Sequence, residues 1–318
     1  MFYNYTAGIK IVYADIKNCM TINLKSFWSL VKKSFKEWNA KDPFRESAII
    51  AYYAIFSLPA LLVIVIATAS LFFGREMVTG TVHSQIASTL GPDTAEQVKQ
   101  MIINASKTKQ SVLASIIGII TLLFGATGVF AQLQKSLNII WEVKADPKKQ
   151  GILQTLKTRL FSFGLIISIG FLLLISLVVT SMITVLSDWV KAHWPDFIMY
   201  LFFIINFVLS LSIVTILFAL MFKILPDAKI KWKHVWMGAI LTALLFELGK
   251  FTLGIYFGKS NPGSVYGAAG SIILILLWVS YSTMILFFGA EFTKANANRV
   301  SGEIPATEIA HKDKGRES

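Results

Sequence analysis

The chain has 318 residues, 55% of them hydrophobic and only 15% charged, with a mean hydropathy of +0.63 and a net charge of +12. A soluble domain carries about one quarter charged residues, so this composition excludes an ordinary soluble protein. Five stretches, 47–74, 110–134, 160–187, 197–222 and 260–290, contain no Asp, Glu, Lys or Arg, and each is longer than the ~20 residues that cross hydrocarbon as a helix.

A sixth apolar stretch, 234–258, carries Glu247 and Lys250 in its middle. The expected fold is therefore all-α and polytopic, with six transmembrane helices. A barrel is excluded, because barrel strands alternate apolar and polar residues and these segments are apolar on every face. Three regions follow: a cytoplasmic N-terminal region 1–46, a membrane domain 47–293 and a disordered cytoplasmic tail 294–318. Residues 1–22 lack the apolar core of a secretory signal, so the first span is expected to direct insertion. Cys19 is the sole cysteine, which rules out an intrachain disulfide and any cysteine-based zinc or iron–sulfur site.

Leu24, Phe27, Trp28, Val31, Phe35 and Trp38 recur at helical spacing, with Lys25, Lys32, Lys33 and Lys36 on the other side. This pattern predicts an amphipathic helix lying in the membrane interface as an anchor. The first span follows, with Pro59 as a candidate kink. Between the first two spans, Val78, Val82, Ile86 and Leu90 share a helix face before Gly91-Pro92. Asp93 and Glu96 then have capping-box spacing, and Ala95, Val98, Ile102 and Ala105 form a second face. The segment 75–110 is expected to be an external helical hairpin.

In the second span Gly118, Thr121, Gly125, Gly128 and Gln132 form a small, partly polar ridge, and the helix is expected to continue through Trp141 until Asp146-Pro147 ends it. Asn206 and Ser210 sit one turn apart in the fourth span. In the fifth, Ala239, Ala243, Glu247, Lys250, Gly254 and Gly258 fall on one face. Glycine ridges let helices approach closely, and Gly267 and Gly270 of the last span join Gly118, Gly125, Gly128, Gly254 and Gly258 as packing candidates. Packing alone does not call for Glu247, which lies roughly 20 Å beyond His234 at 1.5 Å per residue, near the midplane. An isolated charge there costs about 2.5–3.5 kcal/mol. Glu247, Lys250, Asn206 and Gln132 are accordingly the candidates for a polar cavity. A self-satisfied ion pair is the equally weighted structural alternative.

Cutting the chain at these spans leaves 22 Lys and Arg on the side of both termini and six on the other. By the positive-inside rule both termini are cytoplasmic. The high net charge is thus a topology signal with attraction to anionic lipid, and no nucleic-acid partner is needed. His83, His193, His234 and His311 lack metal-ligand spacing, and no nucleotide loop or nucleophile elbow is present. Neither a metal, a cofactor nor an enzymatic activity is expected.

Five segments, AYYAIFSLPALL at 51–62, FGATGVFAQLQKSLNIIWEV at 124–143, ILPDAKIKWKHVWMGA at 224–239, ELGKFTLGIYF at 247–257 and YGAAGSIILILLWVSYSTMILFFGAEF at 266–292, together resemble the YihY/virulence factor BrkB family. The likeness covers about 44–297, and GATGVF, ELGK, YGAAG and GAEF in that order carry it. Pro59 lies one residue earlier than the family's usual proline. The resemblance implies a multi-pass bacterial inner-membrane protein with six helices and cytoplasmic termini, from a family linked to serum resistance and envelope integrity and proposed to act as transporters or lipid-handling proteins. A ribonuclease label once attached to the family finds no nuclease-type acidic or His cluster here.

Three functions compete. The first is a transporter or translocator of a lipid or amphipathic envelope component, with membrane lipids as its partners. The second is a non-transporting scaffold engaging a periplasmic or envelope protein through 75–110. An intramembrane enzyme ranks last, because no paired carboxylates or Ser/His constellation is present.

Overall fold

The computed structural model describes residues 24–106, 128–146, 196–260 and 269–313. The expected third span, most of the second, Cys19, Gly118, Gly125 and Gly267 lie outside these residues. The described elements in chain order are α1 (Leu24–Ala40), α2 (Pro43–Phe73), α3 (Arg75–Leu90), α4 (Pro92–Ser106), a helix over 128–140 (α5), β1 (Val143–Ala145), α6 (Asp196–Ile224), α7 (Trp232–Ser260), α8 (Gly270–Ser301) and β2 (Ala310–Lys312). Among the described residues three helices contain windows long and apolar enough to cross a membrane, Phe207–Ile224, Trp232–Phe257 and Gly270–Ser301.

The central helix is α8, which packs against α2, α7 and α1, while α6 packs on α7. Two contacts between α7 and α8 explain how closely they approach. A methyl on Gly238 would overlap Thr293 Oγ1, and one on Gly289 would overlap Thr242 Oγ1. Each helix thus receives the other's threonine against a glycine, the small-residue contact that lets membrane helices come together without a hydrophobic driving force. Both hydroxyls are satisfied within their own helices, Thr242 donating to the Gly238 carbonyl at 2.6 Å and Thr293 to that of Gly289 at 2.7 Å.

At one end of the bundle, here called basal, the main core gathers Leu137 and Trp141 from the α5 end, Phe222 from α6, Ile230 from the α6–α7 connector and Phe287 from α8. One face of α1 lies on α8: Phe27, Leu30 and Val31 pack with Phe292 and Ala295, and Trp38 Nε1 donates to the Met284 carbonyl at 3.2 Å. Trp28 and Phe35, from the same apolar stripe, stay 60% and 56% exposed. The stripe is therefore wider than the packed contact and leaves aromatic rings for an interface.

Of the 75–110 segment, residues 75–106 form the expected helical pair, and 107–110 lie outside the described residues. Gly74 and Gly91, at φ of 80° and 91°, make the two sharp reversals that bound α3, a conformation glycine adopts without steric cost. Val78 and Val98 pack with Ile66 of α2, and Leu90 packs with Phe257 and Leu274, so both helices are seated on the end of the bundle opposite the basal one. The capping box does not form as spaced. Pro92 begins α4, which puts Asp93 in its first turn, and Glu96 accepts instead from Gln100 Nε2 at 2.9 Å and Lys99 Nζ at 3.2 Å.

Two other expectations are corrected. The α5 helix stops at residue 140 rather than at Asp146-Pro147, because Trp141 turns into the core with 1% exposure and Glu142 takes a φ of 53° before β1. The tail is also structured as far as Asp313. Helix α8 continues to Ser301, and β2 then pairs antiparallel with β1, Lys144 opposite His311. Its few apolar side chains are enough to seat it, with Ile304 and Ala310 buried, and Ala306 bridges Ala228 of the α6–α7 connector.

Candidate functional site

Glu247 and Lys250 occupy the central turns of α7, three residues apart and so on one face. Lys250 Nζ lies 2.5 Å from Glu247 Oε2, with 34% and 16% of the respective side chains exposed. The ridge that holds them behaves differently along its length. Toward the start of α7, Ala239 and Ala243 are fully buried in the main core. Farther along, Glu247, Lys250 and Gly254 line a groove of 740 Å³ shared by α3, α6 and α7.

The groove has two kinds of wall. Phe207 from α6 and Leu244, Leu248, Phe251 and Ile255 from α7 make it apolar, while Gln85, Ser88 and Thr89 bring polar atoms from the end of α3. Ser88 Oγ and Thr89 Oγ1 both donate to the Gln85 carbonyl at 2.9 Å. Their oxygens therefore remain free to act as acceptors. A methyl on Gly254 would sit an ordinary 3.7 Å from the Ser88 carbonyl, so this glycine borders the groove without being pressed by a neighbour. Such a lining suits a molecule with an apolar body and a polar head: the aromatic and aliphatic walls bury the body, and the Lys250 ammonium can meet an anion once it parts from Glu247.

Of the other predicted site residues, Gln132 sits elsewhere. Its Nε2 donates to Glu46 Oε2 at 2.9 Å, and Ser136 Oγ donates to the same oxygen at 2.7 Å. This satisfies a carboxylate that is 7% exposed. Gln132 therefore joins a basal polar layer and does not line the groove. Gly128 approaches α2 closely, a methyl there falling 2.8 Å from the Tyr53 ring. Gly270 is buried at the start of α8. Asn206 and Gly258 fall within α6 and α7, but their surroundings lie outside the described residues.

Pattern reasoning overlooked the rest of that basal layer. Glu291, 0% exposed, pairs with Lys41, and Lys294, 4% exposed, pairs with Glu142. Lys41 also lies 3.9 Å from Glu142, and Lys294 lies 3.7 Å from Glu37. Two ammoniums, Lys41 of the α1–α2 turn and Lys294 of α8, thus face three carboxylates, Glu37 of α1, Glu142 of the α5–β1 turn and Glu291 of α8, so that the buried Glu291 and Lys294 each have an opposite charge beside them. Burial pulls the Lys41 ammonium below its usual range against the opposing charge of Glu291. Burial raises the Glu142 carboxyl, but the bond and charge of Lys294, with the charges of Lys41 and Lys312, outweigh it and hold that carboxyl below its usual range. The signal was available in the sequence, since Glu291 and Lys294 repeat the Glu-x-x-Lys spacing of Glu247 and Lys250 immediately after the longest charge-free stretch.

Among the described residues no group of three or more His, Cys, Asp or Glu is placed to hold a metal ion. The basal layer has the character of a clamp between α1, β1 and α8, whereas the α7 groove has room and an amphipathic lining.

Residues 34–313 match the family described as virulence factor BrkB. A UPF0761 membrane protein of Saccharophagus degradans is 29% identical over 266 residues, covering 83% of this chain and 59% of that protein. A UPF0761 membrane protein of Pseudomonas aeruginosa strain LESB58 is 27% identical over 247 residues, covering 77% of this chain and 57% of that protein, and one from Pseudoalteromonas atlantica is 25% identical over 253 residues, covering 77% and 78%. The chain thus spans less than two thirds of the length of the first two. No solved structure matches.

Proposed function

The chain belongs to the virulence factor BrkB family of membrane proteins, and from that premise we propose that it is a transporter or translocator of a lipid or amphipathic envelope component in the bacterial inner membrane. The observation that carries this reading is the groove of 740 Å³ in which an apolar wall faces Glu247, Lys250 and the polar end of α3. Its size falls within the 300–1,000 Å³ of small-molecule sites. In this reading Lys250 meets an anionic head group, and Glu247, which otherwise neutralises Lys250, is displaced from it as the head group arrives. Intramembrane ionisable residues are functional candidates by default.

The scaffold reading draws less support. The apolar faces of α3 and α4 that would grip a partner are occupied by the bundle itself, through Val78, Val98 and Leu90.

The test is reconstitution of the purified protein into liposomes that carry a head-group-labelled phospholipid in one leaflet. Protein-dependent appearance of the label in the other leaflet supports the proposal. Label that stays as immobile as in protein-free liposomes contradicts it.

A further inference from the structure

A second cavity, 690 Å³ in volume, lies at the basal end against the short connector between α6 and α7 and the returning tail. Its lining includes Lys223, Lys229 and Lys231, and its single carboxylate, Asp227, is already committed. Asp227 Oδ2 accepts from Asn138 Nδ2 at 2.8 Å and Oδ1 from Gln134 Nε2 at 3.2 Å, while the Asp227 amide donates to Asn138 Oδ1 at 2.8 Å. The carboxylate is thus held by α5, and positive charge dominates the cavity.

The three lysines are not equivalent. Lys223 is placed in advance: its Nζ donates to the Ile230 carbonyl and stands 6.0 Å from the centre of the Trp232 ring, leaving further N–H donors for a ligand. Among the described residues Lys229 pairs with Glu308 at 3.6 Å, both side chains being more than half exposed; such pairs are worth little in water and give way to a better anion. Lys231 is exposed. The frame around them is rigid, because Thr307 N donates to the Asp227 carbonyl and Lys229 N to the Pro305 carbonyl, both at 2.9 Å.

Position selects the ligand's source. The cavity sits where α6 ends and α7 begins, and Trp232 and Trp236, 45% and 42% exposed with ring centres 6.3 Å apart, stand at that level. Exposed tryptophans at the ends of apolar helices mark the head-group layer of a bilayer, and a basic pocket between helices at that depth suits a phosphate-bearing head group. We propose that Lys223, Lys229 and Lys231 form a binding site for the phosphodiester head group of an anionic phospholipid. The site is separate from the α7 groove and does not depend on that groove moving lipid.

Native mass spectrometry of the full chain with added phosphatidylglycerol or phosphatidylcholine, alongside a Lys229→Gln/Lys231→Gln variant, tests this. A second variant, Lys32→Gln/Lys33→Gln, removes the same charge from exposed positions of α1. The wild type should prefer phosphatidylglycerol. That affinity should fall roughly 30-fold in the Lys229/Lys231 variant, at ~1 kcal/mol for each lysine, and be unchanged in the α1 variant. An equal loss in both variants, or none in the first, refutes the site. Displacement of phosphatidylglycerol by millimolar inorganic phosphate would assign the cavity to a soluble anion and overturn the lipid assignment. Absence of displacement supports it.

Discussion

Lys250 Nζ rests 2.5 Å from Glu247 Oε2, one turn away on the same helix, in a groove whose other walls are largely apolar. Each charge offsets the other's cost at rest, and a ligand anion that reaches Lys250 would take the place of Glu247. Glu247→Gln keeps the shape and a hydrogen-bond acceptor for Lys250 but removes the exchangeable charge. The variant should express and stay folded, because Lys250 is 34% exposed to the groove and keeps an acceptor, while lipid movement falls about tenfold, equivalent to ~1.4 kcal/mol. A well-folded, fully active Glu247→Gln protein removes the glutamate from the mechanism.

The glycines along α7 and α8 should divide sharply. Gly289→Ala drives a methyl into Thr242, buried at 0% exposure, and should lose about 1–3 kcal/mol in detergent melting; adding Thr242→Ala should recover part of that loss. Gly254→Ala meets nothing closer than 3.7 Å and should be neutral or slightly stabilising. Equal effects at the two positions would mean that α7 and α8 do not pack as described.

The ion pair between Lys41 and Glu291 ties the α1–α2 turn to α8. Removing one partner from a buried pair costs about 3–5 kcal/mol, whereas replacing both with apolar residues is often neutral. Lys41→Met alone should therefore destabilise strongly, and Lys41→Met/Glu291→Leu should regain most of the loss. Thermal unfolding of the two variants gives the answer, and additive losses would dismiss the clamp.

Glu142 gives this clamp a pH dependence. Its carboxyl is held below the ordinary value of 4.5, so the folded state binds fewer protons than the unfolded state between the two values. Its contribution is fully present above pH 4.5 and is lost as pH falls through the lowered value. Melting temperatures measured from pH 7 into acid should fall less steeply for Glu142→Gln than for the wild type. Parallel curves would refute the assignment.

How much of this was legible in the sequence depended on the range of the signal. The α3–α4 pair came from local spacing, and Val78, Val82 and Leu90 face inward as their periodicity demands. Glu247 and Lys250 stood out because a charge interrupts an apolar run. Glu291 and Lys294 do not stand out, because they follow directly on the charge-free stretch 260–290 and charges at the end of an apolar run are ordinary. The partnership of Gln132 with Glu46, 86 positions apart, and the seating of Thr242 on Gly289 depend on which helices are neighbours, which no local period encodes. The tail misled for a related reason: its composition is that of a disordered segment, but Ile304 and Ala310 find places in a core assembled from distant parts of the chain.

Topology can be checked independently in intact cells. In a Cys19→Ser background, a cysteine at position 96 should react with a membrane-impermeant maleimide from outside, and one at position 231 should react only after lysis. The reverse pattern would invert the orientation inferred from the distribution of Lys and Arg.

The central claim, that lipid passes along the α7 groove, is tested most directly by filling the groove. Thr89 lines it from α3, whereas Gln100 lies exposed on α4 away from it. In liposomes carrying labelled phospholipid, Gln100→Trp should move label between leaflets as fast as the wild type, and Thr89→Trp, folded to the same melting temperature, should fall to the protein-free rate. Transfer by Thr89→Trp at the wild-type rate would contradict the account.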